Sequence, residues 1–526
     1  MSYPYFNKKY IIYNPSTMSY TQSNNKRIAI NTIMLYFRMF LTMGVSLFTS
    51  RIILQSLGVE DYGIYNVVAG FVSMFTFINS AMTSATQRYI TFAIGRGENT
   101  RINTVFSTCV NIHAILSIIL IIIAETIGLW FLNTHMTIPE ERMTAANIVY
   151  QLAILSTIVM MLSVPYNAMI VAYEKMSAFA YISILDVTFK LLIAYILFIS
   201  TFDRLILYAV LMFAVQAMIR FIYQKYCNMN FKESRYHWVW DKNLFKEMVS
   251  FSVWSLFGNL ASVFSGQGVN VVLNMFFGPA VNAARGVVFQ VQSAVNGFSG
   301  NFQMAMNPQI TKNYANGNIY SMHSLIFASS KYSYYLLFMI SLPVILEADT
   351  ILNVWLAEVP PYTINFLRIV LFTTIINAMA GPFTISAQAN GNIKLYQMVV
   401  GGILLLSLPL SYVGLKIFHQ PEIVYIVDLI IVLTAQIARL YFMRWMVGLS
   451  IHIYMKKVVL PVITVTVISM IVPLLIYNNM SKGTIFSFFS VCAISVISIA
   501  LTIYFVGINK NERIKLNNFI NKKLHR

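Results

Sequence analysis

Charge is what this chain has least of. Asp, Glu, Lys and Arg together make up 10% of its 526 residues, against 58% hydrophobic residues, whereas soluble domains are about one quarter charged. That deficit excludes a water-soluble globular protein, and the apolar excess excludes a disordered one. Cysteine is nearly absent. Cys109, Cys227 and Cys492 lie far apart, match no disulfide framework or metal-ligand spacing, and read as small buried apolar side chains. Walker A, His-Glu-x-x-His, Gly-x-Ser-x-Gly and dinucleotide-binding patterns are missing, so the chain has no nucleotide site through which it could itself use ATP. The longest hydrophilic loop, 225–247, is too short for a soluble catalytic domain. No enzyme, cofactor or metal site is therefore expected, and a glycan polymerase or glycosyltransferase is disfavoured.

The chain does have apolar length. A bilayer-crossing helix needs roughly 20 apolar residues, and the hydrophobic fraction suffices for about fourteen of them. Apolar runs bounded by charge, Gly, Pro or Asn fall at 30–54, 64–87, 104–132, 145–170, 177–200, 204–224, 248–274, 286–306, 325–352, 363–387, 396–415, 423–443, 458–477 and 485–507. The expected class is an all-α polytopic membrane protein. The first run contains Arg38 and Arg51, is too long for a signal-peptide core and lacks a small-residue cleavage site, so it reads as a retained span. Residues 1–17, with Pro4 and Pro15 and no helical periodicity, read as a dispensable leader, with Met18 as the functional start.

The net charge of +18 points to nucleic acid only if it is concentrated on one soluble face. Here it is divided between loops. Alternate loops carry 24 Lys and Arg on one side and six on the other, and the remaining six of the 36 lie in or at the edges of spans: Arg38, Lys190, Arg220, Lys331, Arg368 and Arg439. The positive-inside rule then places both termini in the cytoplasm and requires an even number of spans. No nucleic-acid partner is implied.

An internal repeat emerges when loops are compared. Gly58 follows the first span and Gly97 the second, and Gly278 and Gly317 stand 220 residues later, after the seventh and eighth. The resulting layout is a cytoplasmic tail 1–29, a six-helix lobe 30–224, a basic cytoplasmic linker 225–247, a second six-helix lobe 248–443, two further helices within 444–507 and a basic tail 508–526. Transporters are commonly built from such repeats, with the substrate site between the halves.

Polar residues inside spans are costly unless they face protein or a wet cavity. At about 100° per residue, Asn31, Arg38, Thr42 and Thr49 share a sector of roughly 40° on the first span. Asn66, Ser73, Ser80, Gln87 and Arg88 share one face of the second; Ser252, Ser255, Asn259, Ser262, Gly266 and Asn270 form a stripe on the seventh. On the eighth, Arg285, Gln292, Asn296, Ser299, Gln303 and Asn307 lie within about 80°. These four helices are repeat-related pairs, and a shared hydrated cavity is expected between them, although packing through small polar residues is an alternative for Ser and Thr. Arg38 and Arg285 are expected to face the cavity without an acidic partner on their own stripes, while Arg88 and Arg51 could simply snorkel. Asp186 and Lys190, spaced i,i+4, suit an intrahelical ion pair; with Asp428 they are also candidates for ion coupling. His113 reads as a hydrogen-bonded interior histidine.

Residues Asn31 to Met39, Thr49-Ser50-Arg51, Leu57 to Val68 (LGVEDYGIYNVV) and Ala85-Thr86-Gln87-Arg88 resemble bacterial lipopolysaccharide and capsular polysaccharide flippases of the multidrug/oligosaccharidyl-lipid/polysaccharide exporter superfamily. The local match covers 27–100; beyond it the resemblance rests on the span layout. It implies a bacterial inner-membrane protein with two lobes in a V and a central cavity open alternately to each side. It also implies a polyprenyl-diphosphate-linked oligosaccharide as cargo, with membrane lipids, a polysaccharide polymerase and glycosyltransferases as partners, and cationic residues on the first, second and eighth helices, where Arg38, Arg88 and Arg285 stand. Arginine suits phosphates because its charge is permanent and its donors form a fork. The charge-free last two helices could bind the lipid tail or simply face lipid. Alternatives are a multidrug or cation antiporter of the same superfamily, a peptidoglycan-precursor flippase, and a non-transporting scaffold for glycan assembly.

Overall fold

The computed structural model describes residues 16–73, 76–135, 138–277, 279–356, 359–480, 485–510, 512–514 and 517. The described residues are helical throughout, without strands. The first half comprises α1 (Ser16–Ser73), α2 (Thr76–Arg96), α3 (Asn99–Ile123), α4 (Leu129–His135), α5 (Met143–Ala172), α6 (Met176–Ile199) and α7 (Arg204–Asn230). The second comprises α8 (Lys242–Phe277), α9 (Pro279–Ala315), α10 (Ile319–Leu346), α11 (Ala348–Trp355), α12 (Thr363–Asn377), α13 (Gly381–Asn390), α14 (Lys394–Leu405), α15 (Ser407–Phe418) and α16 (Ile423–Val447). Short α17 (Ile451–Tyr454), α18 (Leu460–Asn479) and α19 (Ile485–Thr502) follow.

Among the described residues, eleven helical segments are long and apolar enough to cross a membrane. The other long helices, α2, α8 and α9, are the polar-striped ones. Their Asn, Gln, Ser and Gly content lowers their hydropathy, yet α8 and α9 would each extend over about 55 Å at 1.5 Å per residue, well beyond a hydrocarbon core of about 30 Å. Between the first two expected spans there is no separate loop. Gly58, at φ 77° and ψ 170°, breaks α1 by itself, in a region of backbone space that only glycine enters freely.

The packing repeats. In the first half α1 packs on α6, α2 on α3 and α5, α5 on α7, and α6 on α7. In the second, α8 packs on α14 and α15, α9 on α10, α12 and α13, α12 and α13 on α16, and α14 and α15 on α16. The turn after α2 and the turn after α9 are also the same. Gly97 and Gly317 adopt φ 69° and 72°. Glu98 N donates to Ala93 O as Asn318 N donates to Asn313 O, the Schellman pattern that a left-handed glycine permits. Gly278, the expected counterpart of Gly58, lies outside the described residues.

Residues 231–241 do not form a free linker. Asn103 Nδ2 donates to the Glu233 and Arg235 carbonyls, Asn111 Nδ2 to the Val239 carbonyl, and the Tyr236 hydroxyl to Asn111 Oδ1, so the segment is strapped along α3. The final helices join the second half: α18 packs on α19 and both pack on α10, and the buried ammonium of Lys331 reaches Glu512 at 2.9 Å. The in-span Lys331 is thereby neutralised by the residues that follow α19.

Candidate functional site

Contacts that join the halves gather at one end, the end bearing the turns at 97–98, 173–175, 316–318 and 391–393. Tyr36 donates to the Phe298 carbonyl at 3.1 Å and Phe40 meets the Phe298 ring edge-on. One turn further along, Arg38 Nη2 donates to Asn301 Oδ1 at 3.1 Å, with its guanidinium 4.8 Å from the Phe179 ring centroid. Leu35, Val171, Met176 and Ala305 pack behind this layer.

Next to the turns stands a buried charged lock. Glu174, whose side chain is fully buried, accepts from Lys312 Nζ and Gln309 Nε2, both at 2.6 Å, and its main-chain carbonyl accepts from Asn31 Nδ2. It holds φ at 59°, a conformation that a non-glycine residue keeps only where its surroundings over-determine it. Beside it Arg88 is caged. Its Nε donates to the Gln388 carbonyl, its guanidinium lies over Tyr89, Phe92 and Phe251, and it fills the space where Gly391 lacks a Cβ. Gly95 likewise leaves room for Ala315 and Lys312. At the opposite end of the same helices, Phe48, Met275 and Phe289 are exposed.

The expected cavity residues therefore separate into groups. Asn31, Arg38 and Arg88 sit in the closure between the halves. Thr42 donates to the Met39 carbonyl of its own helix, and Asn259 is half-buried on α8. Gln292 and Gln303 reach into the second half, Gln292 to Thr374 Oγ1 at 3.0 Å and Gln303 to Ser333 Oγ and the Ala378 carbonyl. Asn296 remains exposed. The side chains of Asn66 and Ser73 lie outside the described residues. Arg285 stays within the second half. It donates to the Gly266 carbonyl of α8 at 2.8 Å, and its guanidinium lies 5.8 Å from the Tyr425 ring centroid of α16. Both contacts come from other helices, where a single-helix stripe cannot show them. Asp186 and Lys190 form their i,i+4 ion pair at 2.7 Å. His113 is buried with Nδ1 on the Cys109 carbonyl.

Sequence reading missed the Glu174 lock and the environment of Arg439. Nothing in the sequence sets Glu174 or Lys312 apart, because only the docking of the α5–α6 turn on α9 buries the pair.

A family model, MatE, matches residues 35–196. Comparison of the sequence with curated proteins finds no match. Solved structures similar to this chain include a MATE in a bent conformation, 13% identical with TM-score 0.70, covering 81% of this chain and 96% of that one. The chain has the fold of MATE transporters. The MATE transporter ClbM in complex with Rb+ is 15% identical with TM-score 0.68, over 81% of this chain and 96% of that one. A MOP superfamily transporter from Pyrococcus furiosus, described as having a binding pocket of reverse polarity that suggests a different function, is 12% identical with TM-score 0.68, over 80% and 95%. The MATE fold is a multi-pass helical membrane architecture, as the apolar runs required, and the matched family segment overlaps the stretch that resembles the flippases.

Proposed function

We propose that the chain is a flippase that carries a polyprenyl-diphosphate-linked oligosaccharide across the membrane by alternating access. On this reading α2, α8 and α9 also span, giving fourteen crossings in two six-helix lobes plus two helices, and the repeated packing supports that division. The observation that carries the cargo class is the excess of cations over anions left without an ion pair inside the spans. Both in-span lysines pair, Lys190 with Asp186 and Lys331 with Glu512. Arg38, Arg220, Arg368 and Arg439 form no ion pair among the described residues and rely on amides, carbonyls and rings. Unpaired cations at membrane depth are costly, and an anionic headgroup would supply the missing charge. Glycan hydroxyls would meet the Asn and Gln side chains, and the tails would stay in lipid.

A multidrug or cation exporter is the second reading, favoured by the MATE fold itself. Such a cargo wants a free carboxylate in the passage, and Asp186 is paired with Lys190. Proteoliposomes separate the two. A fluorescent lipid-linked oligosaccharide should become accessible in the opposite leaflet only with the protein present; export of a lipophilic cation without any such flipping would overturn the proposal.

A further inference from the structure

The second half holds a cavity of about 340 Å³ between α9, the α12–α13 junction and α16, within the range of roughly 300–1,000 Å³ usual for small-molecule sites. Asn296, Gln303, Asn377, Gly381, Thr384 and Arg439 line it, and no carboxylate does. Arg439 is only 7% exposed. Its Nη1 donates to Gln436 Oε1 at 3.3 Å, whereas its Nε and the Gln436 Nε2 are buried without acceptors. A buried cation whose side chain meets only a neutral amide is expensive at membrane depth, and Arg439 is the one charged side chain on the cavity wall among the described residues.

Between α12 and α13 the helix tightens into a 3-10 turn at Ala378–Ala380 while keeping helical backbone angles. Pro382 offers no N–H to the Ala378 carbonyl; Gln303 Nε2 donates to it at 2.8 Å instead, and its amide occupies the space a Cβ at Gly381 would need, which fixes this wall of the cavity.

We propose that this cavity is an anion site for a phosphate or diphosphate group, with Arg439 as its charged donor. It is separate from Arg38, which meets the other side of α9 through Asn301, and separate from Arg285, which donates to the Gly266 carbonyl. The identity of the natural ligand as a glycolipid headgroup rests on the flippase reading; the site itself rests on the cavity.

The test uses the full chain in detergent micelles at fixed ionic strength, titrated with farnesyl diphosphate and with inorganic diphosphate. Both should bind wild type. Arg439→Gln should weaken binding about tenfold or more, the scale of one lost charged hydrogen bond in a dry site, and Arg439→Lys should weaken it less. Asn377→Leu, which narrows the cavity without touching a charge, should also weaken it and carries the test if Arg439→Gln does not fold. Lys416→Gln, an exposed cation elsewhere, should change nothing. Stronger binding of farnesyl diphosphate supports a lipid headgroup and stronger binding of the inorganic ion a soluble anion, and either supports the site. Unchanged affinity in both Arg439→Gln and Asn377→Leu, or no binding to wild type, overturns it. Arg439-dependent binding in a protein that flips no lipid-linked oligosaccharide keeps the site and refutes the flippase reading. Flipping that persists with unchanged diphosphate affinity in both variants does the reverse.

Discussion

Removing the Lys312 ammonium should loosen the closed end of the molecule while leaving each half intact. The Glu174 carboxylate is fully buried, and the Lys312 side chain is 16% exposed. Deleting one partner of a buried pair leaves the other charge desolvated and costs about 3–5 kcal/mol. Residual solvent access at Lys312 favours the lower figure. Because Lys312 is on α9 and Glu174 follows α5, the cost falls on the state in which the halves meet, not on the packing within either one. At 1.4 kcal/mol per decade, Lys312→Ala should shift the ratio of open to closed ends by roughly a hundredfold. Spin labels at Thr100 and Asn316, which are exposed on the two halves beside this interface, report the change by pulsed electron resonance: a short-distance population in wild type and an added long-distance population in Lys312→Ala. Glu174→Gln with Lys312→Met removes both charges while keeping an acceptor for Gln309, and should restore the short distance, since replacing a buried pair with neutral side chains is often neutral or stabilising. A folded Lys312→Ala protein with the wild-type distance distribution would show that the lock does not hold this end shut.

Arg38→Ala should abolish flipping at near-normal membrane levels and Arg38→Lys should restore part of it, because lysine keeps the charge but loses the fork; normal flipping by Arg38→Ala would remove that residue from the cargo path. Lys331→Ala should strand Glu512, whose side chain is 31% exposed, and lower the detergent melting temperature by loosening α19 from α10, an effect that an added Glu512→Gln should largely relieve. For topology, single cysteines at Asn133 and Asn230, both exposed, in a background lacking Cys109, Cys227 and Cys492, should react with an impermeant thiol reagent from outside only at Asn133; the reverse pattern would invert the charge-based orientation.

The sequence by itself determined the class. Apolar run length, scarce charge and the lopsided loop cations make a multi-pass helical membrane protein, because a backbone in hydrocarbon must satisfy its own hydrogen bonds and a helix does so within one segment. It also exposed the Gly97 and Gly317 recurrence, since a left-handed cap restricts the residue type locally, and the Asp186–Lys190 pair, since both ends lie on one helix turn. What the sequence could not carry was the identity of partners across helices. The polar stripe of α9 looked like one cavity wall, yet it divides: Asn296, Ser299 and Gln303 line the cavity of the second half, whereas Gln292 bonds Thr374 and Arg285 bonds the Gly266 carbonyl. Arg285 found the Gly266 carbonyl on α8, and Glu174 became a buried lock although it occupies a turn. Angular position on a single helix fixes which side chains share a face. Only the packing of helices far apart in the chain decides whether that face meets protein, water or cargo, because the satisfying atoms belong to other segments.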